Sequence, residues 1–247
     1  MMNMELQGKG VFITGAGSGL GEATAKAFAG ARCAVACVDI NAQAAERVSE
    51  ELRRHDVNSV ALGCDVSDAD AVFAAVNSAA ERLGRLDIAV NCAAVDHTYS
   101  VEELTVAQWD QIMNVNLRGA FLVSKAVWPH LKRQGGGHII NIASTAGVRA
   151  WANTSAYHAS KWGLIGFSRG LGVEGRAEGI RVTTVIPGGM RTHFFDRFAE
   201  QGIPMPDQEN LQEPSTVADA ILYAVRVPRE SALQELILTP INETSWP

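Results

Sequence analysis

Short, almost continuously apolar runs rich in β-branched residues alternate along this chain with longer stretches of helical periodicity. Seven runs are predicted as strands, over residues 10–14, 33–39, 59–64, 86–91, 138–143, 181–186 and 235–239. Runs that are apolar at nearly every position are typical of strands covered on both faces. Helices are predicted near residues 19–30, 42–54, 68–83, 107–133, 155–178 and 215–227. This order predicts a doubly wound α/β fold with a seven-stranded parallel sheet and helices on both faces.

Length and composition favour one domain over residues 1–247. The 247 residues are 47% hydrophobic and 19% charged, which suits a single large core. Acidic and basic residues are interspersed at a net charge of −6, so no basic stripe indicates a nucleic-acid partner. No signal pattern or long apolar run is present, and we expect a soluble cytoplasmic protein without a membrane partner. The four cysteines lie in apolar runs and lack metal-ligand spacing, so no metal is expected.

A glycine-rich turn lies between the first predicted strand and the first predicted helix. Glycines allow the backbone to turn sharply and to approach a pyrophosphate, whose charge is met by amides at the helix N-terminus. Glycines also close ordinary turns, but the strand–turn–helix context favours a Rossmann-type dinucleotide site. The residues assigned to it here are Gly15, Ser18, Gly19, Leu20 and Gly21.

Asp39 ends the second predicted strand, where dinucleotide-binding folds place an acid on the adenosine ribose hydroxyls. A carboxylate there repels a 2′-phosphate, and residues 38–41 contain no Arg or Lys that could bind one. The cofactor is therefore predicted to be NAD, with Asp39 and Ile40 at its adenosine end. The alternative is that Asp39 caps the helix beginning near Ala42, and both can hold.

Tyr157 and Lys161 are four residues apart in a predicted helix, which places them on one face, about 5–6 Å apart at Cβ. A phenol is a poor base at neutral pH, but an adjacent ammonium and a positive nicotinamide ring both favour the phenolate. One such pair is common by chance, and a core Tyr with a solvent-facing Lys is its usual explanation. The neighbouring motifs therefore decide the interpretation.

The glycine spacing GxxxGxG together with the YxxxK pair resembles the short-chain dehydrogenase/reductase family. Ser144 precedes Tyr157 by the family's separation, and the resemblance implies that its hydroxyl holds the substrate oxygen. By itself Ser144 could be a loop hydroxyl bonded to its own backbone. Asn116 stands at the position of the family's fourth catalytic residue, which implies a local helix distortion that frees a carbonyl for a water on Lys161. A structural role for this interior Asn is the alternative, and the two are not exclusive.

Three further segments resemble the family's cofactor-binding motifs. Asp65 and Val66 follow the third predicted strand, at the position where members of the family bind the adenine of the cofactor. Residues 91–94 resemble the family's Asn-Asn-Ala-Gly, with Ala94 replacing the usual Gly, and imply Asn91 and Ala93 at the cofactor. Residues 187–192 resemble the PGxxxT segment, which fixes the carboxamide in the family. This assigns Pro187, Gly188, Gly189 and Thr192 to the cofactor site.

Three loops flank the expected cleft and supply candidates for the substrate pocket. They are Val95, His97, Thr145, Arg149, Trp151, Met190 and His193, with Asp96 and Phe194 beside them. Arg149 could pair with a substrate carboxylate or simply face water. A substrate loop is expected near residues 190–214, where a mobile lid and an inert surface loop both fit the weak periodicity and the prolines.

The resemblance implies an NAD-dependent oxidoreductase that moves a hydride between nicotinamide and a secondary alcohol or ketone, with Tyr157 as general base or acid. An NAD(P)H-dependent carbonyl or 3-oxoacyl reductase is the alternative. A non-catalytic nucleotide-binding scaffold is a third hypothesis, disfavoured by the complete set of Asn116, Ser144, Tyr157 and Lys161. A homodimer or homotetramer packed through residues 107–133 and 155–178 is expected by analogy, although the apolar residues there could all serve the core.

Overall fold

The computed structural model describes residues 6–243, and within them all seven predicted strands form one parallel sheet. The strand order is β3-β2-β1-β4-β5-β6-β7. The strands are β1 (Gly10–Thr14), β2 (Ala34–Asp39), β3 (Ser59–Gly63), β4 (Ile88–Asn91), β5 (Gly137–Ile142), β6 (Ile180–Pro187) and β7 (Glu235–Leu238). The predicted doubly wound parallel sheet is thereby confirmed.

The helices between the strands follow the predicted order, with two corrections. They are α1 (Gly19–Gly30), α2 (Ala42–Arg53), α3 (Ala69–Leu83), α4 (Val106–Met113), α5 (Ala120–Arg133), α6 (Ser155–Glu174), α7 (Asp196–Glu200) and α8 (Pro214–Arg226). The continuous helix predicted over 107–133 is wrong, because a π-helical turn at Asn114–Gly119 separates α4 from α5. The helix predicted over 155–178 ends at Glu174 and continues as a 3₁₀ turn.

The sheet is covered on both faces, which explains why its strands are apolar at nearly every position. Val11 and Ile13 pack toward the layer of α1, α2 and α8. Phe12, between them in sequence, packs toward the layer of α3, α5 and α6. Within residues 6–243, none of the helices combines the length and hydrophobicity needed to cross a bilayer. The same described part of the chain holds no cluster of three His, Cys, Asp or Glu residues that could bind a metal ion.

The chain order reverses between β1 and β4, which are neighbours in the sheet although two strands separate them in sequence. Ligands of open parallel sheets bind at such a switch point, beyond the carboxyl ends of the strands. At this end of the sheet the Thr14 hydroxyl joins β1 to the loop after β4, because it accepts hydrogen bonds from the amides of Cys92 and Ala93, both at 3.2 Å. The loops after the strand ends therefore meet in one cleft.

Candidate active site

The turn between β1 and α1 has a shape that only glycine permits. Gly15 has a φ of +66°, and a β-carbon there would lie 3.0 Å from the backbone of Ala93. A β-carbon on Gly21 would lie 2.0 Å from the Gly15 carbonyl oxygen. Ser18 is exposed and its hydroxyl does not cap α1, so the first amides of the helix, including that of Leu20, are left without a side-chain partner. This arrangement fits a pyrophosphate, which the chain would hold through backbone amides.

Asp39 bonds to the glycine turn and does not cap the helix that follows it. Its Oδ2 accepts a hydrogen bond from the Gly17 amide at 2.9 Å, and its Oδ1 accepts one from the Asn41 amide at 2.9 Å. The N-cap of α2 is Asn41, whose side chain accepts from the Ala44 amide at 3.1 Å. The capping alternative for Asp39 is therefore wrong. Ile40, beside it, is 75% exposed.

Arg47 lies against the same turn, and the sequence analysis missed it. Its Nη2 donates to the Gly17 carbonyl at 2.8 Å and to Glu22 Oε2 at 2.6 Å, while Nη1 donates to Glu22 Oε1 at 3.2 Å. The hydrogen bond from Arg47 lowers the pKa of Glu22 below its ordinary value. A cation therefore stands near the adenosine end of the turn, but a carboxylate already neutralises it.

The ends of β3 and β4 carry the remaining residues predicted at the adenosine side. Asp65 Oδ1 accepts from the Ser67 amide at 2.8 Å and from the Ser67 hydroxyl at 2.7 Å, which orients the carboxylate. Val66 is buried against Gly119, where a β-carbon would lie 2.9 Å from it. Asn91 donates to Asn141 Oδ1 at 2.8 Å, while its own buried Oδ1 has no hydrogen-bond partner in the described part of the chain.

Tyr157, Lys161 and Ser144 come together at the centre of the cleft. Tyr157 and Lys161 are both buried on α6, and Lys161 Nζ lies 5.5 Å from the Tyr157 ring centroid. The ammonium donates to the Ile142 carbonyl at 2.8 Å. Ser144 lies close enough to Tyr157 to lower the pKa of the phenol, and Ser144 Oγ accepts a hydrogen bond from the Ala146 amide at 3.1 Å. Ser144 thus makes the local loop contact and also acts on the phenol.

Burial dominates the electrostatics of these groups. It lowers the pKa of Lys161 to about 8 and raises the pKa of Tyr157 above its ordinary value. The negative charge of Asp96 raises the pKa of the phenol further, whereas Ser144 and Arg197 lower it. The phenol is therefore protonated at neutral pH in the free protein. Its activation as a base needs an additional positive charge nearby.

Asn116 lies in the π-helical turn and uses its whole side-chain amide on neighbouring residues. Its Nδ2 donates to the Val95 carbonyl at 2.8 Å and to Ser160 Oγ at 3.1 Å, and its Oδ1 accepts from the Val95 amide at 2.8 Å. The distortion implied by the family resemblance is present, and so is the structural role offered as its alternative. Asn116 holds the loop after β4 against α6.

The segment after β6 approaches the glycine turn. Pro187 ends the strand, the Gly188 amide donates to the Leu238 carbonyl at 2.9 Å, and the Gly189 carbonyl accepts from Gln212 at 3.0 Å. Further along, Thr192 Cγ2 lies 3.2 Å from the point where a β-carbon on Gly19 would stand. The two cofactor-binding segments predicted from sequence are therefore neighbours.

Residues beyond Thr192 cover Tyr157. The Phe194 ring centroid lies 5.6 Å from that of Tyr157, and the Arg197 guanidinium lies 4.3 Å from the Phe194 ring. Arg197 also binds Asp96 at 2.5 Å across the cleft. These contacts place residues 194–197 of the predicted substrate loop, residues 190–214, over Tyr157. Arg197 had no sequence signal, since its partner is 101 positions away.

The other candidates for the substrate pocket have different surroundings. Thr145 is buried beside Ser144, and Trp151 is 45% exposed and packs edge-on against His158. Met190 packs against the core layer of α1 and α8, and the Arg149 amide donates to the Thr145 carbonyl at 2.9 Å.

The two candidate histidines both pair with polar side chains. His97 bonds to Gln111 at 2.9 Å. His193 is 82% exposed and pairs with Asp196, which places it at the solvent-exposed rim.

Comparison with known proteins agrees with this geometry. The sequence profile of short chain dehydrogenases matches residues 9–202. D-threitol dehydrogenase of Mycolicibacterium smegmatis is 40% identical over 75% of this chain and 71% of its own length.

Two solved structures share the fold over almost the whole chain. The 3-ketoacyl-(acyl-carrier-protein) reductase of Brucella melitensis, complexed with NADH, is 32% identical, with a TM-score of 0.86 over 96% of this chain and 99% of that one. An alcohol dehydrogenase of the archaeon Thermococcus sibiricus, complexed with 5-hydroxy-NADP, is 27% identical, with a TM-score of 0.85 over 94% and 97%. The chain belongs to the short-chain dehydrogenase family of oxidoreductases.

Proposed function

We propose that this protein is an NAD-dependent dehydrogenase of secondary alcohols, with Tyr157 as the general base. The observation that carries the proposal is the pair of buried side chains Tyr157 and Lys161, with the half-buried Ser144 beside Tyr157, in the same cleft as the glycine turn and Asp39. The resemblance to D-threitol dehydrogenase supports oxidation of a CH–OH group.

The proposed roles follow from the contacts of each side chain. The substrate hydroxyl would lie between the hydroxyls of Ser144 and Tyr157, so that Ser144 stabilises the charge developing on oxygen and Tyr157 takes the proton. Bound NAD supplies the hydride acceptor and a positive ring that favours the phenolate. Lys161, with a pKa near 8, would relay the proton at its Nζ. Asn116 would keep the loop after β4 in position for the substrate.

The proposed preference for NAD rests on Asp39 and on the pairing of Arg47 with Glu22. Asp39 would accept hydrogen bonds from the ribose hydroxyls and repel a 2′-phosphate. Arg47 is a cation that contacts the turn, at the Gly17 carbonyl. Its bidentate hydrogen bond to Glu22 would prevent its guanidinium from binding a 2′-phosphate. The two structural relatives differ in the cofactor named with them, so these side chains carry the argument.

Steady-state assays with NAD, NADP and their reduced forms test this function against its alternatives. We expect oxidation of secondary alcohols with NAD and little with NADP. Reduction of ketones or 3-oxoacyl thioesters with NADPH alone would identify the protein as a reductase instead. Tight binding of NAD without turnover in either direction would favour the scaffold hypothesis.

We also propose a homodimer or homotetramer that packs through α4, α5 and α6. Ile112, Val127 and Leu164 belong to the core, but Trp109, Phe121 and Trp162 on the same helices are 39%, 43% and 55% exposed. Exposed aromatic side chains of this size are typical of interfaces. Light scattering of the purified protein should give a mass of two or four chains, and Trp162→Glu should reduce it.

A further inference from the structure

A buried polar cluster joins the loop after β4 to α7, close to Tyr157. Asp96 Oδ2 accepts hydrogen bonds from Arg197 Nη2 at 2.5 Å and from the Thr98 hydroxyl at 3.2 Å. The Asp96 side chain is 2% exposed. Through Phe194, which contacts both Arg197 and Tyr157, the cluster is one side chain away from the phenol.

Among residues 6–243, three buried polar atoms of this cluster have no hydrogen-bond partner. They are Asp96 Oδ1, Arg197 Nε and the Oε1 of Gln201, whose Nε2 donates to the Thr98 carbonyl at 3.5 Å. An unpaired polar atom costs free energy when it is buried, and more when it belongs to a charged group, so folded proteins pair nearly all of them. Arg197 and its partner Asp96 reach the phenol through Phe194, so their unpaired atoms indicate a place where a bound molecule can supply the missing hydrogen bonds.

The chemistry of the three atoms restricts what can bind. Asp96 Oδ1 accepts, Arg197 Nε donates, and a hydroxyl group can do both at once. The ion pair is neutral as a whole, so it offers no net electrostatic attraction to a carboxylate or to an ammonium. Gln201 Oε1 offers one further acceptor. A neutral, hydroxyl-bearing molecule fits this set better than an apolar or charged one.

We propose that Asp96 and Arg197 form a subsite for a second hydroxyl group of the substrate, which makes the substrate a neutral polyol. This inference rests on the proposed dehydrogenase function and adds the substrate class. The charge of Asp96 raises the pKa of both Tyr157 and Lys161, as expected if the subsite adjoins the reacting hydroxyl.

The test compares sec-butanol with the four-carbon vicinal diol and tetrol, using NAD as the oxidant. One hydrogen bond to a charged group corresponds to a preference of about 10- to 100-fold in kcat/KM for the tetrol over sec-butanol. Asp96→Asn should abolish most of this ratio. Asp196→Asn is the matched control, since it removes a carboxylate from the exposed side of α7 and should keep the ratio.

A binding measurement separates this inference from the proposed function. Calorimetric titration of the tetrol into the NADH-saturated protein should show binding that Asp96→Asn weakens by a similar factor. Equal kcat/KM for sec-butanol and the tetrol in the wild type would overturn the subsite and leave the dehydrogenase function standing. If no alcohol is oxidised, the proposed dehydrogenase function is wrong. If, in addition, the tetrol binds wild type and Asp96→Asn equally well in the calorimetric titration, the subsite is wrong too. If Asp96→Asn does not fold, the wild-type ratio decides.

Discussion

Asp39, at the end of β2, accepts a hydrogen bond of 2.9 Å at its Oδ2 from the amide of Gly17, which lies in the turn between β1 and α1. The bond fixes the carboxylate against the glycine turn, where the adenosine ribose of a dinucleotide would lie. The acid that would select the cofactor is therefore held by the loop that would bind the cofactor's phosphates.

Asp39→Ala should weaken NAD binding and remove discrimination against NADP. The loss of hydrogen bonds to a charged acceptor corresponds to a decrease of about 10- to 100-fold in affinity. Isothermal titration with each nucleotide measures this. Asp70→Ala, at an exposed position of α3, serves as the control. Unchanged selectivity in Asp39→Ala would show that another group chooses the cofactor.

Glu22→Gln should increase NADP binding in the Asp39→Ala background, because it releases the Arg47 guanidinium from its carboxylate partner. Titration of the double variant with NADP measures the gain. Glu51→Gln is the control, since Glu51 pairs with Lys26 and not with Arg47. If the double variant binds NADP no better than Asp39→Ala alone, Arg47 does not reach the phosphate.

Asn116→Ala should destabilise the fold as well as reduce turnover. It leaves the partly buried Val95 amide and carbonyl without their partner, and an unpaired group costs about 1–3 kcal/mol when it is fully buried. Denaturant unfolding measures the loss, with Asn77→Ala as a control at an exposed side-chain hydrogen bond. A variant as stable as the wild type would contradict the clamping role of Asn116.

Lys161→Met should change how stability depends on pH. Burial lowers the pKa of Lys161 from 10.5 to about 8, so between these values the unfolded chain binds more protons than the folded one. The contribution of Lys161 to the free energy of unfolding therefore rises with pH across this window. Cys33 and Cys92, whose pKa burial raises to about 12, act in the opposite direction but are common to both proteins.

The stability difference between wild type and Lys161→Met isolates the lysine. When unfolding is measured on either side of pH 8, the free energy of unfolding of the wild type should increase relative to that of the variant as pH rises. A difference that is constant with pH would mean that Lys161 titrates at its ordinary value.

Much of the site could be predicted because its signals are local. The glycine turn, the acid ending β2 and the Tyr157/Lys161 pair are each contained in a few consecutive residues, and the strand–helix alternation places them at one sheet edge. Helical periodicity does not reveal the π-helical turn at Asn114–Gly119, because both flanking segments keep an apolar face.

The contacts that could not be predicted from the sequence join segments that are far apart along the chain. The Arg47 contact with Gly17 spans 30 positions, and the Asp96 contact with Arg197 spans 101. Their pairing depends on how loops fold over the carboxyl ends of the strands, and no periodicity records that. These contacts are also the ones for which we propose roles in cofactor and substrate selection.

The most direct test of the central claim is NAD-linked oxidation of secondary alcohols by wild type and by Tyr157→Phe, with NAD binding measured on both proteins. Removal of the phenolic oxygen should reduce kcat by about two to four orders of magnitude, the usual share of a general base, while NAD still binds. Turnover by Tyr157→Phe at the wild-type rate, or no NADH formed by a wild type that binds NAD, would contradict the account.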